Sequence, residues 1–301
     1  MILNAVPSYA LRKTWSSDRF VYDAVLGIET IEGSPDRLLV WGKNYEKVEA
    51  KVALVEIKNK KVDVIWESQN FYERGSNLMC AFGSFTSRDQ EVVVLAEDLW
   101  KIYKVEVKGL KEIASGTGIT GIMEVTAGDI DGDGKTELIL TSVHELLKDT
   151  IDKNVVVYKY QGGKLAKANE TKGLGNIRAI TALDFTGDRL AEIVIEVGSG
   201  YKQGQVVVLQ DLKPIVTANL RAQPIFALSH LGDTLLVGDD SGAVNLYRLE
   251  LGNNAQLEHV GTSVSVGWGL VDVASGNFLG TKNDQVVVVS APTGISILEE
   301  R

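Results

Sequence analysis

The sequence predicts an all-β fold, a six-bladed β-propeller of four-stranded blades, and three observations carry that expectation. A strand–turn–strand pattern recurs six times along the chain. No segment sustains the 3.6-residue amphipathic period of a substantial helix. The two ends of the chain look like complementary parts of one blade.

The recurring unit is a small-residue apolar strand, a polar turn, and a run of aliphatic residues. Its first copy runs from Val25-Leu26-Gly27 to Leu38-Leu39-Val40, and its second from Ala81-Phe82-Gly83 to Val92-Val93-Val94. The third joins Ala127-Gly128-Asp129 to Leu138-Ile139-Leu140, and the fourth Ala182-Leu183-Asp184 to Ile193-Val194-Ile195. Weaker copies join Ala227-Leu228-Ser229 to Leu235-Leu236-Val237, and Val273-Ala274-Ser275 to Val286-Val287-Val288. The central aliphatics fall at positions 39, 93, 139, 194, 236 and 287. That spacing of about fifty residues suits a four-stranded propeller blade. Two further strand-like segments follow each run, as in Val155 to Tyr158 and Lys164 to Ala166, with Gly, Asn and Asp at the joins where short hairpins need them.

The last copy ends after its third strand, Ile295 to Leu298, while Leu11 to Ser17 precedes any first strand and resembles the fourth strand of the first blade, Val62 to Ser68. An N-terminal strand completing the C-terminal blade closes the ring and removes exposed sheet edges. The expected blades are 18–70, 71–116, 117–172, 173–218, 219–261, and 262–301 plus 8–17, forming one domain over 1–301. Seven blades, or an array of β-sandwiches, is the structural alternative.

Composition narrows the function classes. The chain has 301 residues, 45% hydrophobic and 24% charged, as in a folded globular protein. Its net charge of −9 disfavours nucleic acid and anionic membranes, which need clustered positive charge. Cys80 is the single cysteine, so no internal disulfide forms, and its apolar strand marks it as packing. No apolar stretch is long enough to span a bilayer, and the start lacks a signal-peptide pattern. The expected location is the exterior or cell envelope if a leader has been removed, and otherwise the cytoplasm; the expected state is a monomer.

The clearest chemical motif is Asp129-Ile130-Asp131-Gly132-Asp133-Gly134-Lys135-Thr136-Glu137. Asp129, Asp131, Asp133 and Glu137 place carboxylates at loop positions 1, 3, 5 and 9, and Lys135 offers its backbone carbonyl at position 7. Calcium takes six to eight hard oxygens, and glycine at position 6 allows the sharp turn that gathers them. Position 12 is Leu140 inside a strand run, so the loop is not that of a helix–loop–helix sensor. Four carboxylates within nine residues repel one another unless a cation joins them. The fourth copy repeats the spacing with Asp184, Thr186, Asp188 and Glu192, but Thr186 weakens position 3 and Arg189 replaces the glycine, which predicts a turn without metal. The other copies are read as lacking these acids.

The loop and its flanking strands resemble the FG-GAP or VCBS repeat of integrin α-subunit propellers and many bacterial surface proteins. Ala81-Phe82-Gly83-Ser84-Phe85 carries the Phe-Gly element of that repeat. The resemblance implies a structural Ca2+ that stiffens the turn between the first and second strands of a blade, in a scaffold that binds other molecules.

Motifs of serine hydrolases, zinc proteases, nucleotide-binding loops and dinucleotide folds are absent. His144, His230 and His259 lie in different copies, as expected of surface or turn residues. Arg19, Arg74, Arg178 and Arg221 each precede an innermost strand, near one face of the central channel. The same face is expected to carry long loops at Ser142 to Lys153 and Glu196 to Gln203, the latter with Tyr201 and Lys202, and Trp268 at the channel mouth. Converging guanidiniums hold acidic groups by forked hydrogen bonds; the alternative is that each pairs with an acid of a neighbouring blade. The expectation is a non-catalytic, calcium-stabilised scaffold that grips a protein or glycan on this face. The alternative is a hydrolase or lyase working in the channel, although the inner strands read as mostly apolar or small.

Overall fold

The computed structural model describes residues 11–17, 21–31, 37–58, 60–72, 77–146, 151–198, 204–220, 225–239, 241–250, 256–267, 270–276, 278, 284–290 and 294–300. Among them are β-strands and turns and no α-helix. The first sheet contains β2 (Ala24–Thr30), β3 (Arg37–Asn44), β4 (Glu49–Lys58) and β5 (Lys61–Glu67), and the second β6 (Leu78–Gly83), β7 (Glu91–Ala96), β8 (Leu99–Glu106) and β9 (Gly109–Thr117). The third holds β10 (Ile122–Gly128), β11 (Glu137–Leu146), β12 (Ile151–Gln161) and β13 (Lys164–Thr171), and the fourth β14 (Ile177–Leu183), β15 (Glu192–Val197), β16 (Gln205–Gln210) and β17 (Lys213–Asn219). The fifth is β18 (Ile225–Leu231), β19 (Thr234–Asp239), β20 (Val244–Glu250) and β21 (Gln256–Thr262). The sixth joins β22 (Leu270–Gly276), β23 (Gln285–Ser290) and β24 (Gly294–Glu300) to β1 (Leu11–Ser17). All pairings are antiparallel, sequential within each blade except for β1 with β24, and the architecture is the expected six-bladed propeller.

The aliphatic runs become strands buried on both faces, which is why they read as continuous apolar segments instead of alternating ones. Leu38 and Val40 on β3 pack toward the sixth blade with Val287 and Val289, while Leu39 and Trp41 pack toward the second with Leu78 and Val92. Val93 and Leu95 then meet Leu138 and Leu140, and Ile139 meets Ile193 and Ile195. Val194 joins Leu235 and Val237, and Leu236 joins Val286 and Val288. Each neighbouring pair of blades thus shares a core, and the last core returns to the first blade.

Closure is covalently out of order in sequence but regular in space. β1 pairs with β24 from Leu11↔Glu300 to Ser17↔Ile295, with a bulge between Lys13 and Trp15. Leu11 anchors this strand among Leu236, Val244 and Leu298. Away from the channel axis, the turns after the inner strands also link blades. Ser84 N–H donates to Thr136 Oγ1 at 2.9 Å, Thr136 N–H to Ser84 O at 3.0 Å, and Ala191 N–H to Asp129 O at 2.8 Å. Gly83 is required at this seam, because a Cβ there would lie 2.6 Å from the Thr136 side chain.

Replacing Leu11, which is 1% exposed, with Ala tests the closing strand. A loss of about 2–5 kcal/mol in urea unfolding is expected, against no more than about 0.5 kcal/mol for Lys13→Ala on the exposed face. Equal, small losses for both would show that β1 does not hold the ring.

Candidate metal centre and channel site

The Asp129–Glu137 turn connects β10 to β11 and is ordered by its own backbone. Asp129 accepts N–H groups from Gly132 (2.7 Å) and Gly134 (2.9 Å), Asp133 accepts from Lys135 (2.8 Å), and Glu137 accepts from Ile130 (3.0 Å). Gly132 and Gly134 have φ of 76° and 79°, in the left-handed region that glycine enters without steric cost. The turn brings oxygen atoms of Asp129, Asp131 and Glu137 within 4.8 Å of one another, and Asp133 stands at the same rim. A hard-oxygen donor set this compact fits a calcium ion. Lys135 enters the turn through its backbone.

Sequence reasoning missed one member of this centre. Lys159 on β12 directs its ammonium into the carboxylates, bonding Asp131 and lying 3.4 Å from Glu137 Oε1 and 3.5 Å from Asp133 Oδ2. Burial works against its charge, but the bond to Asp131 and the fields of Glu137, Asp131 and Asp133 prevail and hold its pKa above the usual lysine range. Only strand register reveals it: Leu138 pairs with Tyr158, so Lys159 comes opposite Glu137.

The Asp184–Glu192 turn has the same skeleton without that cation. Asp184 accepts from Gly187 (2.6 Å) and Arg189 (2.8 Å), Asp188 from Leu190 (2.8 Å), and Glu192 from Phe185 (2.9 Å). Arg189 takes φ of 74° where the other turn has glycine. Thr186 Oγ1 bridges Asp184 and Glu192 at 3.4 and 3.3 Å. The second blade, read from sequence as lacking the acids, keeps one of them. Glu91 is buried at the start of β7 and accepts from Thr86 N–H at 2.7 Å. In the sixth blade Gln285 does the same for Phe278 N–H, also at 2.7 Å.

Of the expected ligand-face residues, Arg19, Arg74, Arg221, Tyr201, Lys202 and Trp268 lie outside the described residues. Arg178 is described, and its guanidinium grips Glu196 by two nitrogens, with Nε to Oε2 at 2.8 Å. Glu196 is an acid on the next strand of the same blade. The loop expected at Ser142 to Lys153 is mostly a hairpin extension, with β11 reaching Leu146 and β12 starting at Ile151. His259 lies against the Tyr247 ring, as a surface residue, whereas His230 lines the channel.

The central channel encloses about 900 Å³. Apolar and small side chains line much of it, as the inner strands lead one to expect, and Glu29, Glu124 and Asp272 also face it. Glu124 and Asp272 occupy one repeat position: they pair with Thr141 and Val289, where other blades set Gly27, Met79, Ala179 and Ala227. Asp272 spends both oxygens on backbone, accepting from Ile28 N–H in the first blade and from Val273 N–H, each at 2.9 Å. Glu29 accepts from Thr30 N–H at 3.2 Å. Among the described residues none donates a hydrogen bond to Glu124.

Burial raises all three carboxyls. Glu29 is pushed up to about 7, with the Asp272 charge adding to desolvation. Asp272 reaches about 7 despite its two N–H donors. Glu124 reaches about 8, desolvation outweighing the attraction of Lys153 and joined by repulsion from Asp272. Lys153, buried between Glu124 and Glu196, has its pKa lowered chiefly by desolvation.

Comparison with protein-family models found no matching family, and comparison with curated proteins found no match.

The folded state holds protons on these carboxyls that an unfolded chain releases near its ordinary carboxylate range. Their contribution to stability is therefore complete at acid pH and is lost as pH rises toward about 8. Melting curves of wild type and Glu124→Gln across pH 5–8 should converge at the acid end and diverge with rising pH, the variant becoming relatively more stable. A constant difference across that range would show that Glu124 is ionised throughout.

Proposed function

We propose that this chain is a calcium-stabilised binding propeller of the FG-GAP/VCBS kind, and that its recognition site is the central channel. The observation that carries the reading is Glu124: a carboxyl without a hydrogen-bond donor among the described residues, on the wall of a large channel whose lining mixes apolar and small groups with other acids. Glu124 is half-buried in the channel wall and partly desolvated there, which disfavours its charge, and a ligand bearing hydroxyl or amine groups would give it a hydrogen-bond partner. A glycan, or a protein segment with a basic or hydroxyl side chain, has this chemistry. Arg178, the one expected ligand-face arginine among the described residues, is paired with Glu196, so the reading rests on the channel carboxyls instead.

Calcium in this reading is structural. Asp129, Asp131, Asp133 and Glu137 would hold it, with the Lys135 carbonyl, and the bound ion would fasten a turn already bonded to the second blade through Thr136 and to the fourth through Asp129 O. Chelated protein should melt at a lower temperature than protein with calcium, since an ion at a hundred times its Kd adds about 2.7 kcal/mol. Asp131→Ala should remove the difference, and identical melts with and without calcium in wild type would sink the metal assignment.

An enzyme of hydrolase or lyase type is the second reading, favoured by carboxyls whose pKa values of about 7 to 8 suit proton transfer near neutrality. Asp272 counts against it, because both its oxygens already bind backbone. Glycan and peptide arrays probed with wild type and Glu124→Gln separate the readings. Retention of a ligand by wild type, lost in the folded variant and without cleavage of the ligand, supports binding. Cleavage that depends on Glu124 establishes the enzyme, and equal retention by both proteins removes the channel from recognition.

A further inference from the structure

We propose that Lys159 is a resident cation of the Asp129–Glu137 turn, and that calcium binds there only by displacing its ammonium. This rests on the calcium reading above and adds a residue that sets how tightly, and under what conditions, the metal is held.

The first support is competition for the same atoms. Lys159 Nζ bonds Asp131 and stands 3.4 Å from Glu137 Oε1 and 3.5 Å from Asp133 Oδ2, so it sits among three of the four expected carboxylate ligands. Calcium takes its oxygens at about 2.3–2.6 Å. An ion at that distance from these carboxylates meets the ammonium both sterically and as a like charge. The lysine stem is long and flexible, and its side chain is 20% exposed, so the ammonium has a route to solvent without unfolding of β12.

The second support is independent and comes from the other blades. The first residue of the second strand and its partner on the third form a polar pair all round the ring. The pair is Arg37–Glu56 in the first blade and Glu91–Lys104 in the second. It is Thr234–Arg248 in the fifth and Gln285–Glu299 in the sixth. One step beyond the Leu138↔Tyr158 and Ile193↔Leu209 pairs, it is Glu137–Lys159 in the third blade and Glu192–Gln210 in the fourth. The second blade has no run of loop aspartates, yet its Lys104 turns to the loop carboxylate of Asp89 at 2.6 Å. There the strand lysine is the turn's cation outright. The fourth blade has the loop acids but Gln210 in place of lysine, and a Thr186 hydroxyl spans Asp184 and Glu192 instead. The third blade alone among these three combines the full set of loop acids with the strand lysine. It therefore carries two alternative cations for one set of carboxylates.

This arrangement keeps the turn folded without metal and lowers calcium affinity, because each binding event must move a bonded ammonium. Calorimetric titration of chelator-stripped full chain with calcium chloride tests it, using wild type, Lys159→Gln and Lys159→Arg. The glutamine variant, which copies the residue the fourth blade has at this position, should bind calcium at least ten-fold more tightly and melt at a lower temperature in chelator. The arginine variant should return affinity toward wild type. Calcium binding by the glutamine variant but not by wild type also supports the proposal in its strongest form. Equal calcium affinity in wild type and Lys159→Gln overturns the role of Lys159 while leaving the metal site standing. Absence of binding in all three proteins overturns the metal site itself, and the competition with it.

Discussion

The constraint on which this structure depends is that the second strand of every blade is buried on both faces. Residues 38–41, 92–95 and 286–289 have almost no exposed surface, because alternate side chains belong to different inter-blade cores. A single blade would leave two apolar faces in water, at about 25 cal/mol for each Å² uncovered. Neighbours on both sides are therefore obligatory, and only a closed ring gives every blade two. The pairing of β1 with β24 follows from the same demand: without it, Ile295 and Ile297 would lie on an edge strand open to other chains. Ring geometry then brings the inner strands around one axis, and the channel is its by-product.

Polar groups at the blade starts solve a second problem created by this packing. The chain must turn sharply between an inner strand and a fully buried one, and the turn's N–H groups need acceptors near the core. Glu91, Glu137, Glu192 and Gln285 answer it in the same way, each accepting an N–H from the turn while almost wholly buried. A buried glutamate brings a charge, and the blades neutralise or satisfy it differently. Hydroxyls of Thr86 and Ser87 do so in the second blade, where Lys104 bonds the neighbouring Asp89, a Thr186 hydroxyl does so in the fourth, and a lysine within a set of aspartates in the third. The candidate metal centre is thus an elaboration of a device that the fold uses for its turns.

This division explains what was legible in the sequence. Two-sided burial writes itself as runs such as Val92-Val93-Val94, and the turn acids stand in a compact motif, so the blades and the Asp129–Glu137 turn are readable without coordinates. Lys159 lies twenty-two residues beyond Glu137, in an ordinary-looking Tyr158-Lys159-Tyr160 segment, and becomes relevant only once strand register places it. Glu124 and Asp272 sit singly within Ile122-Met123-Glu124 and Leu270-Val271-Asp272, where one acid among apolar neighbours looks like a solvent-facing residue of a half-exposed strand. In a propeller the inner strand has no such solvent face; what it faces is the channel. Arg178 misleads in the opposite sense, because its position at the channel is readable while its partner Glu196 is hidden in an aliphatic run.

The channel acids Glu29, Glu124 and Asp272 do not share one role. Asp272 binds Ile28 N–H across the seam where the sixth blade meets the first, so its carboxyl belongs to the closure of the ring. Glu29 lies close enough to feel its charge and is tied to its own strand through Thr30 N–H. Glu124 has neither tie, and the buried Lys153 attracts it without forming a bond among the described residues. A repeat position that elsewhere holds Gly27, Ala179 or Ala227 has here acquired a carboxyl whose desolvation outweighs the attraction of Lys153 in its own blade. Under the proposed recognition role, a molecule entering the channel would give this carboxyl the hydrogen-bond partner it lacks among the described residues. The asymmetry between a carboxyl spent on the scaffold and one left open to the channel is the physical argument on which the proposed recognition role rests.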